Sequence, residues 1–247
     1  MQCSLLSSLS PVADLMTSIL AIDTSTDACS VALLSAGTVR VLQEHAPRRH
    51  NQLLLGMLCE LLPGGPGGLD AVAYGCGPGS FTGLRIAASA AQGICFAAQL
   101  PALPVSTLAA QVQSAIRLGL AGEGGWVLST LDAHIGELYW ALYQVVNGLP
   151  HAVSSEAACR PEALVIPGAE QVVALGGGMR YHADMTGASQ ARISALHDTV
   201  LPSAEDILPL AEAAFTAGAW QQAEAICPVY VRDEIRWKRL AEQGPQS

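Results

Sequence analysis

The chain has 247 residues, of which 51% are hydrophobic and 13% charged, and its formal net charge is -9 at neutral pH. So large an apolar share with so few charges excludes intrinsic disorder and fits one compact domain or two small ones. The cationic complement is eleven Arg and Lys238; this argues against autonomous nucleic-acid binding, because a binder neutralises phosphates with a clustered basic face.

Residues 1 to 15 precede the first strand-like sequence and follow directly before Met16; they read as a disordered extension or an over-long start. They have no basic n-region and contain Pro11, so they do not form a signal peptide. The uncharged stretch from Ile86 to Ile116 is long enough to cross a bilayer, but Gln92, Gln99, Pro101, Pro104 and Gln111 interrupt it. A soluble protein without targeting is expected. Seven cysteines (Cys3, Cys29, Cys59, Cys76, Cys95, Cys159 and Cys227) form no CxxC pair and sit mostly in apolar segments, which predicts reduced, buried thiols and a cytoplasmic setting.

Ile19 to Ile22, Cys29 to Leu34 and Val39 to Leu42 are β-branched and alternating, and Ser35-Ala-Gly-Thr38 supplies a turn, so three antiparallel strands open the fold. From His50 to Leu62 nearly every position is apolar, which predicts a helix buried on both sides before the glycine-proline run 63 to 68 stops it. Ala71 to Tyr74 reads as a strand, followed by the loop Gly75 to Gly83 and a helix from Leu84 to Gln99. The small residues of that helix let a second helix approach closely. Pro101 and Pro104 end the segment. Trp126 to Leu131 and Leu138 to Val146 form a second β-rich stretch turning at Asp132 to Gly136, in which the pattern of the first half partly recurs. Gln171 to Leu175 enters Gly176-Gly-Gly178 as a strand. Ser203-Ala-Glu-Asp206 resembles a capping box before a last helix whose start Pro209 obscures. The tail from Pro228 to Leu240 holds four of the twelve basic residues.

Gly75 to Gly83 suits an anion loop or a structural turn capped by Ser80 or Thr82; it lacks the Lys of a Walker loop and the third small residue of the dinucleotide fingerprint. Asp23 ends the first strand beside Thr24, Ser25 and Thr26, which could hold hydrated magnesium or a phosphate, or could cap a turn. Gly176 to Gly178 is a weaker version of the same pattern. His50 is followed four residues later by Leu54, and the six histidines form no ligand pair, so no zinc site is expected. Ser80 lacks the GxSxG context of a nucleophile. No catalytic constellation emerges from the residues themselves.

Ile19 to Leu33, Gly77-Pro-Gly-Ser-Phe-Thr-Gly-Leu-Arg-Ile86 and Pro104 to Leu108 together resemble the TsaB (YeaZ) family. Asp132 to Tyr139, Leu201 to Asp206 and Pro228 to Arg232 add to the likeness. The resemblance implies an α/β actin-like ATPase fold (the sugar kinase, Hsp70 and actin class) of two related lobes, each a mixed sheet of about five strands with flanking helices. The lobes would span 16–110 and 111–247, with the tail packing back on the first. It also implies a non-catalytic activator in threonylcarbamoylation of the tRNA adenosine beside the anticodon. The catalytic partner would be TsaD, assisted by TsaE, and tRNA would be met only through the complex. The free chain would be a homodimer, with no tightly bound cofactor and with ATP or ADP only at the TsaD interface.

On this resemblance the partner-facing residues would be His50, Leu53, Leu54, Met57, Leu58 and Leu61 from the first helix and Gly83, Arg85, Ala87 and Ala91 from the second. An Asp at Leu54 or Leu58 would then disrupt assembly. A vestigial nucleotide site would comprise Asp23, Thr24, Ser25, Gly77, Gly79, Ser80, Gly176 and Gly177. TsaD-like proteins carry an HxxxH metal pair where this chain has His50 and Leu54, so metal-dependent catalysis is not expected. Cys76 stands where relatives usually have Arg, which points to a weakened anion or interface contact, and Ala87 stands where Gly is common. The alternative is an autonomous ATPase or kinase using Asp23 and the glycine loops; a zinc-dependent peptidase lacks its ligand pairs.

Overall fold

The computed structural model describes residues 17–168 and 170–231. The expectations for residues 1 to 15 and for the basic side chains beyond residue 231 lie outside the described residues. The chain forms two sheets. The first contains β1 (Ile19–Asp23), β2 (Ala28–Ser35), β3 (Thr38–His45), β4 (Ala71–Gly77) and β5 (Ala102–Ser106) in the order β3-β2-β1-β4-β5. β1, β2 and β3 are antiparallel neighbours, and β4 and β5 continue parallel to β1. The predicted turn is a tight hairpin in which Ala36 and Gly37 both take positive φ, the twist that a two-residue connection between right-twisted strands requires.

The second sheet repeats that topology with β6 (Trp126–His134), β7 (Glu137–Val146), β8 (Leu149–Ala152), β10 (Val172–Leu175) and β11 (Ile193–His197) in the order β11-β10-β6-β7-β8. The short β9 (Ala157–Cys159) also pairs with β7. Strand for strand, β6, β7, β8, β10 and β11 correspond to β1, β2, β3, β4 and β5. The recurrence seen in the sequence is therefore a repeat of connectivity.

Five helices flank the sheets: α1 (His50–Leu61), α2 (Phe81–Ala98), α3 (Thr107–Arg117), the single turn α4 (Gly187–Gln190) and α5 (Ala204–Thr216). Alternation along β1 divides the first core. Leu20 and Ile22 face Leu54, Leu58, Leu61, Ala87 and Ala91 of α1 and α2, whereas Ile19 and Ala21 face Ala204, Ile207 and Ala211 of α5. In the second lobe, Val127 and Leu131 pack with Leu108 and Val112 of α3, and Leu128 packs with Leu164, Ile166, Met179 and Met185 of the irregular segments. The helix that follows each sheet in sequence thus packs on the sheet of the other lobe. Asp206 fastens the two crossing helices: it accepts from Arg117 Nε and Nη2 at 2.7 and 2.9 Å and from Ser114 Oγ at 2.6 Å.

Three expectations change. Pro101 and Pro104 do not end a segment; Pro104 lies within β5, an edge strand, where a missing N–H is tolerated, and α3 follows directly. α1 is buried on one side only, through His50, Leu54, Leu58 and Leu61. Of the cysteines, Cys29, Cys76 and Cys95 are buried, but Cys59 and Cys227 are exposed. α5 starts at Ala204 with Ser203 as its cap and accommodates Pro209 inside.

Candidate functional site

The turn after β1 and the glycine loop after β4 are locked together. Ser80 N donates to Ser25 O at 2.7 Å, and Thr24 Oγ1 donates to Gly83 O at 2.7 Å. Ser80 caps α2 by accepting from Gly83 N, as the turn reading anticipated. A Cβ at Gly79 would overlap Ser25 O, one at Gly83 would overlap Thr24 O, and one at Gly75 would overlap Asp23 Oδ1. These glycines serve close backbone approach, and the amides of Ser80 and Gly83 already have acceptors within the chain. Asp23 is sealed beneath this contact at 0% exposure, accepting only from Ser25 Oγ and, at 3.4 Å, Ser25 N. Burial pushes its carboxyl up to about 6.

The second lobe places Asp132 near the end of β6, the counterpart of Asp23 at the end of β1. Asp132 is partly exposed and engaged: Arg180 Nη1 donates to it at 2.8 Å, Tyr181 Oη at 3.1 Å and His134 N at 2.9 Å. Gly176 is the counterpart of the β4 loop. Its φ of 87° and the closeness of Thr130 O and Gln111 Nε2 leave no room for a side chain.

A cleft of about 980 Å³ separates the lobes. Of the predicted nucleotide residues, Ser25, Gly79, Ser80 and Gly177 line it, whereas Asp23, Thr24, Gly77 and Gly176 are not among its lining residues. Asp23 and Thr24 are fully buried. Gly77 packs against the tail, where Val229 N donates to Cys76 O at 2.7 Å. Burial holds the Cys76 thiol up to about 12, with Glu156 adding to the effect, so it is no thiolate nucleophile. His50 also lines the cleft, and its buried Nε2 has no hydrogen-bond partner among the described residues. Among the described residues no group of three His, Cys, Asp or Glu side chains could hold a metal ion.

The predicted partner-facing set is redistributed. Leu54, Leu58, Leu61, Ala87 and Ala91 are buried in the chain's own core, Gly83 is pressed on Thr24, and His50 faces the cleft; Leu53 and Met57 are half-buried. Only Arg85 of the set is exposed. The residues that α1 and α2 do turn outward include Leu55 at 69% exposure, Phe81 at 51% and Phe96 at 70%. A groove of about 490 Å³ runs between the two helices past Leu55, Phe81, Arg85 and Ser89. Sequence reasoning passed over Leu55, Phe81 and Phe96, although the spacing Phe81, Arg85, Ser89, Phe96 marks one helical stripe. Glu60 and Arg85 are the only Asp, Glu, Lys or Arg residues on the two helices.

Two sheets of one topology, each ending a strand in an aspartate beside a glycine turn at a common cleft, define a two-lobed α/β fold of the actin-like ATPase class. A family model described as TsaD, tRNA N6-adenosine threonylcarbamoyltransferase, matches residues 40–232. The chain is 41% identical to the tRNA threonylcarbamoyladenosine biosynthesis protein TsaB of Escherichia coli K12 over 230 residues, 90% of this chain and 97% of that one. The Haemophilus influenzae TsaB is 36% identical, with 90% and 96% covered. A crystal structure from Pseudomonas aeruginosa, described as an uncharacterized protein with similarity to peptidase YEAZ, superposes with a TM-score of 0.82 at 41% identity, covering 88% of this chain and all of that one. The chain belongs to the TsaB (YeaZ) family.

Proposed function

We propose that the chain is a non-catalytic activator subunit in the biosynthesis of N6-threonylcarbamoyladenosine in tRNA, and that it binds the catalytic subunit TsaD, with TsaE, through the outer face of α1 and α2. The observation that carries this is the bare face itself: Leu55, Phe81 and Phe96 stand exposed along a groove on two nearly uncharged helices. Exposed apolar patches of this kind mark protein interfaces. The closed glycine loop supports the non-catalytic half of the reading, since the donors that would cradle a phosphate are spent on Ser25 and Ser80.

The test is reconstitution from purified TsaD, TsaE, the adenylate-forming enzyme and tRNA, with and without this chain. Omission is expected to abolish the modified nucleoside; undiminished product without the chain refutes the proposal. A second reading, an autonomous ATPase or kinase, draws on the 980 Å³ cleft alone. It requires calorimetric heat with magnesium-ATP for the isolated chain, and none is expected.

A further inference from the structure

Arg85 stands in an unusual setting for an exposed cation. Its guanidinium lies 3.7 Å from the centre of the Phe81 ring and 6.0 Å from that of Tyr230, two rings that are themselves 5.5 Å apart. Arg85 Nε donates to Tyr230 Oη at 3.0 Å. The tail that carries Tyr230 is fixed by the Val229 N to Cys76 O bond and by Tyr74 Oη donating to Cys227 O at 3.4 Å. The side chain is thus held from both sides, while its two Nη groups make no hydrogen bond or ion pair among the described residues. Glu60, the one carboxylate on either helix, belongs to the far end of α1. The two helices start together at the groove, so Glu60 lies about 8 Å further along the axis than Leu55, the level of Arg85.

We infer that Arg85, positioned by Phe81 and Tyr230, is the charged anchor of the α1–α2 face and receives a carboxylate of the TsaD subunit in a forked hydrogen-bonded pair. This rests on the proposal that TsaD docks on that face. Docking takes the guanidinium out of water, and a desolvated charge without a counter-charge opposes binding. A guanidinium held in one orientation suits the two parallel bonds of a carboxylate and has lost its conformational freedom before the partner arrives. The tail therefore belongs to the docking surface: Tyr230 acts through Arg85 as a positioning residue.

The experiment measures the dissociation constant of the full chain with TsaD at low and high salt, for the wild type, Arg85→Met, Arg85→Lys, Tyr230→Phe and the Arg85→Met/Tyr230→Phe pair. Circular dichroism confirms folding, which exposed positions do not endanger. Arg85→Met is expected to weaken binding about tenfold or more and to flatten its salt dependence. Arg85→Lys is expected to restore the salt dependence but only part of the affinity. Tyr230→Phe keeps the ring and loses the Nε acceptor; it should weaken binding about threefold in the wild type and not at all beside Arg85→Met. Binding by Arg85→Met within twofold of the wild type overturns the inference and leaves the partner-subunit reading standing. Absence of wild-type binding overturns both. If Arg85→Met and Glu60→Gln each abolish only self-association, the carboxylate belongs to a second copy of the chain, and the assignment to TsaD is wrong.

Discussion

The two lobes share one connectivity and treat the same feature in opposite ways. Asp23 ends β1 and is buried with Ser25 as its only hydrogen-bond donor, whereas Asp132, near the end of β6, stays at the cleft and pairs with Arg180. The first lobe has closed its strand-end carboxylate beneath the glycine loop; the second has neutralised it with a cation. The flanking layers differ as well. β3 leads through the full helix α1 to β4, and β4 through α2 to β5, while the corresponding connections of the second lobe carry 3-10 turns and the four-residue α4. The first lobe therefore has helical surface beyond what its own core covers, and that surplus carries Leu55, Phe81 and Phe96. The lesson is that a repeated topology fixes where a polar turn and a helix lie, and the side chains decide whether they face a ligand, a core or a partner.

The largest expected effect separates the two sides of α1. Leu54→Asp or Leu58→Asp buries a carboxylate in the first core and should cost about 4 kcal/mol or more, seen as loss of cooperative unfolding in urea. The loss of assembly expected from the resemblance would then follow from loss of the lobe. Leu55→Asp should leave the unfolding midpoint unchanged while abolishing partner binding.

The glycines test whether both lobes close as tightly. Gly83→Ala drives a Cβ into Thr24 O and Gly176→Ala drives one into Thr130 O, so each should cost about 3 kcal/mol in chemical denaturation. Gly93→Ala, on the same helix as Gly83 but with nothing near it, should instead stabilise by up to about 1 kcal/mol. Equal effects at Gly83 and Gly93 would remove the basis for a closed loop.

The two aspartates should answer pH differently. Asp23 is held up to about 6 in the folded chain against 3.8 when unfolded, so the folded state keeps a proton that the unfolded state releases. Stability should fall as pH rises from about 4 to about 6 and stay lower above that, by about 3 kcal/mol in all. Asp23→Asn should abolish this fall and leave the chain at least as stable at pH 7. Urea midpoints at pH 4.5 and 7.5 that respond identically in wild type and variant would contradict the burial account. Asp132→Asn loses a pair with a mostly exposed Arg180 and should change stability by less than about 1 kcal/mol.

Much of the fold was legible where short-range pattern and long-range environment agree. The β1–β3 meander, the strand Ala71 to Tyr74 and the long hairpin β6–β7 announce themselves by alternation and turn residues. β5 and α3 did not, because Pro101 and Pro104 resemble breakers until the strand is known to be an edge. β8, β9 and β11 are three to five residues long, too short for a period to show. The site was half legible. Ser80 as a cap followed from its place before α2, and the gathering of Ser25, Gly79, Ser80 and Gly177 at one cleft followed from the family pattern. The side of α1 that meets a partner was not readable, because Leu54 and Leu55 are the same residue type one position apart. Small residues at Gly83, Ala87 and Ala91 signal close approach but not which neighbour approaches; here it is the chain's own β1–β2 turn and sheet.

The central claim is that the chain works through the α1–α2 face and not through the cleft. The most direct test compares Leu55→Asp and Asp23→Ala in the reconstituted tRNA threonylcarbamoylation reaction, with both variants confirmed to be folded. The account predicts product with Asp23→Ala and none with Leu55→Asp. Product with Leu55→Asp and none with an Asp23→Ala chain that still binds TsaD would show that the cleft, and not the helix face, carries the activity.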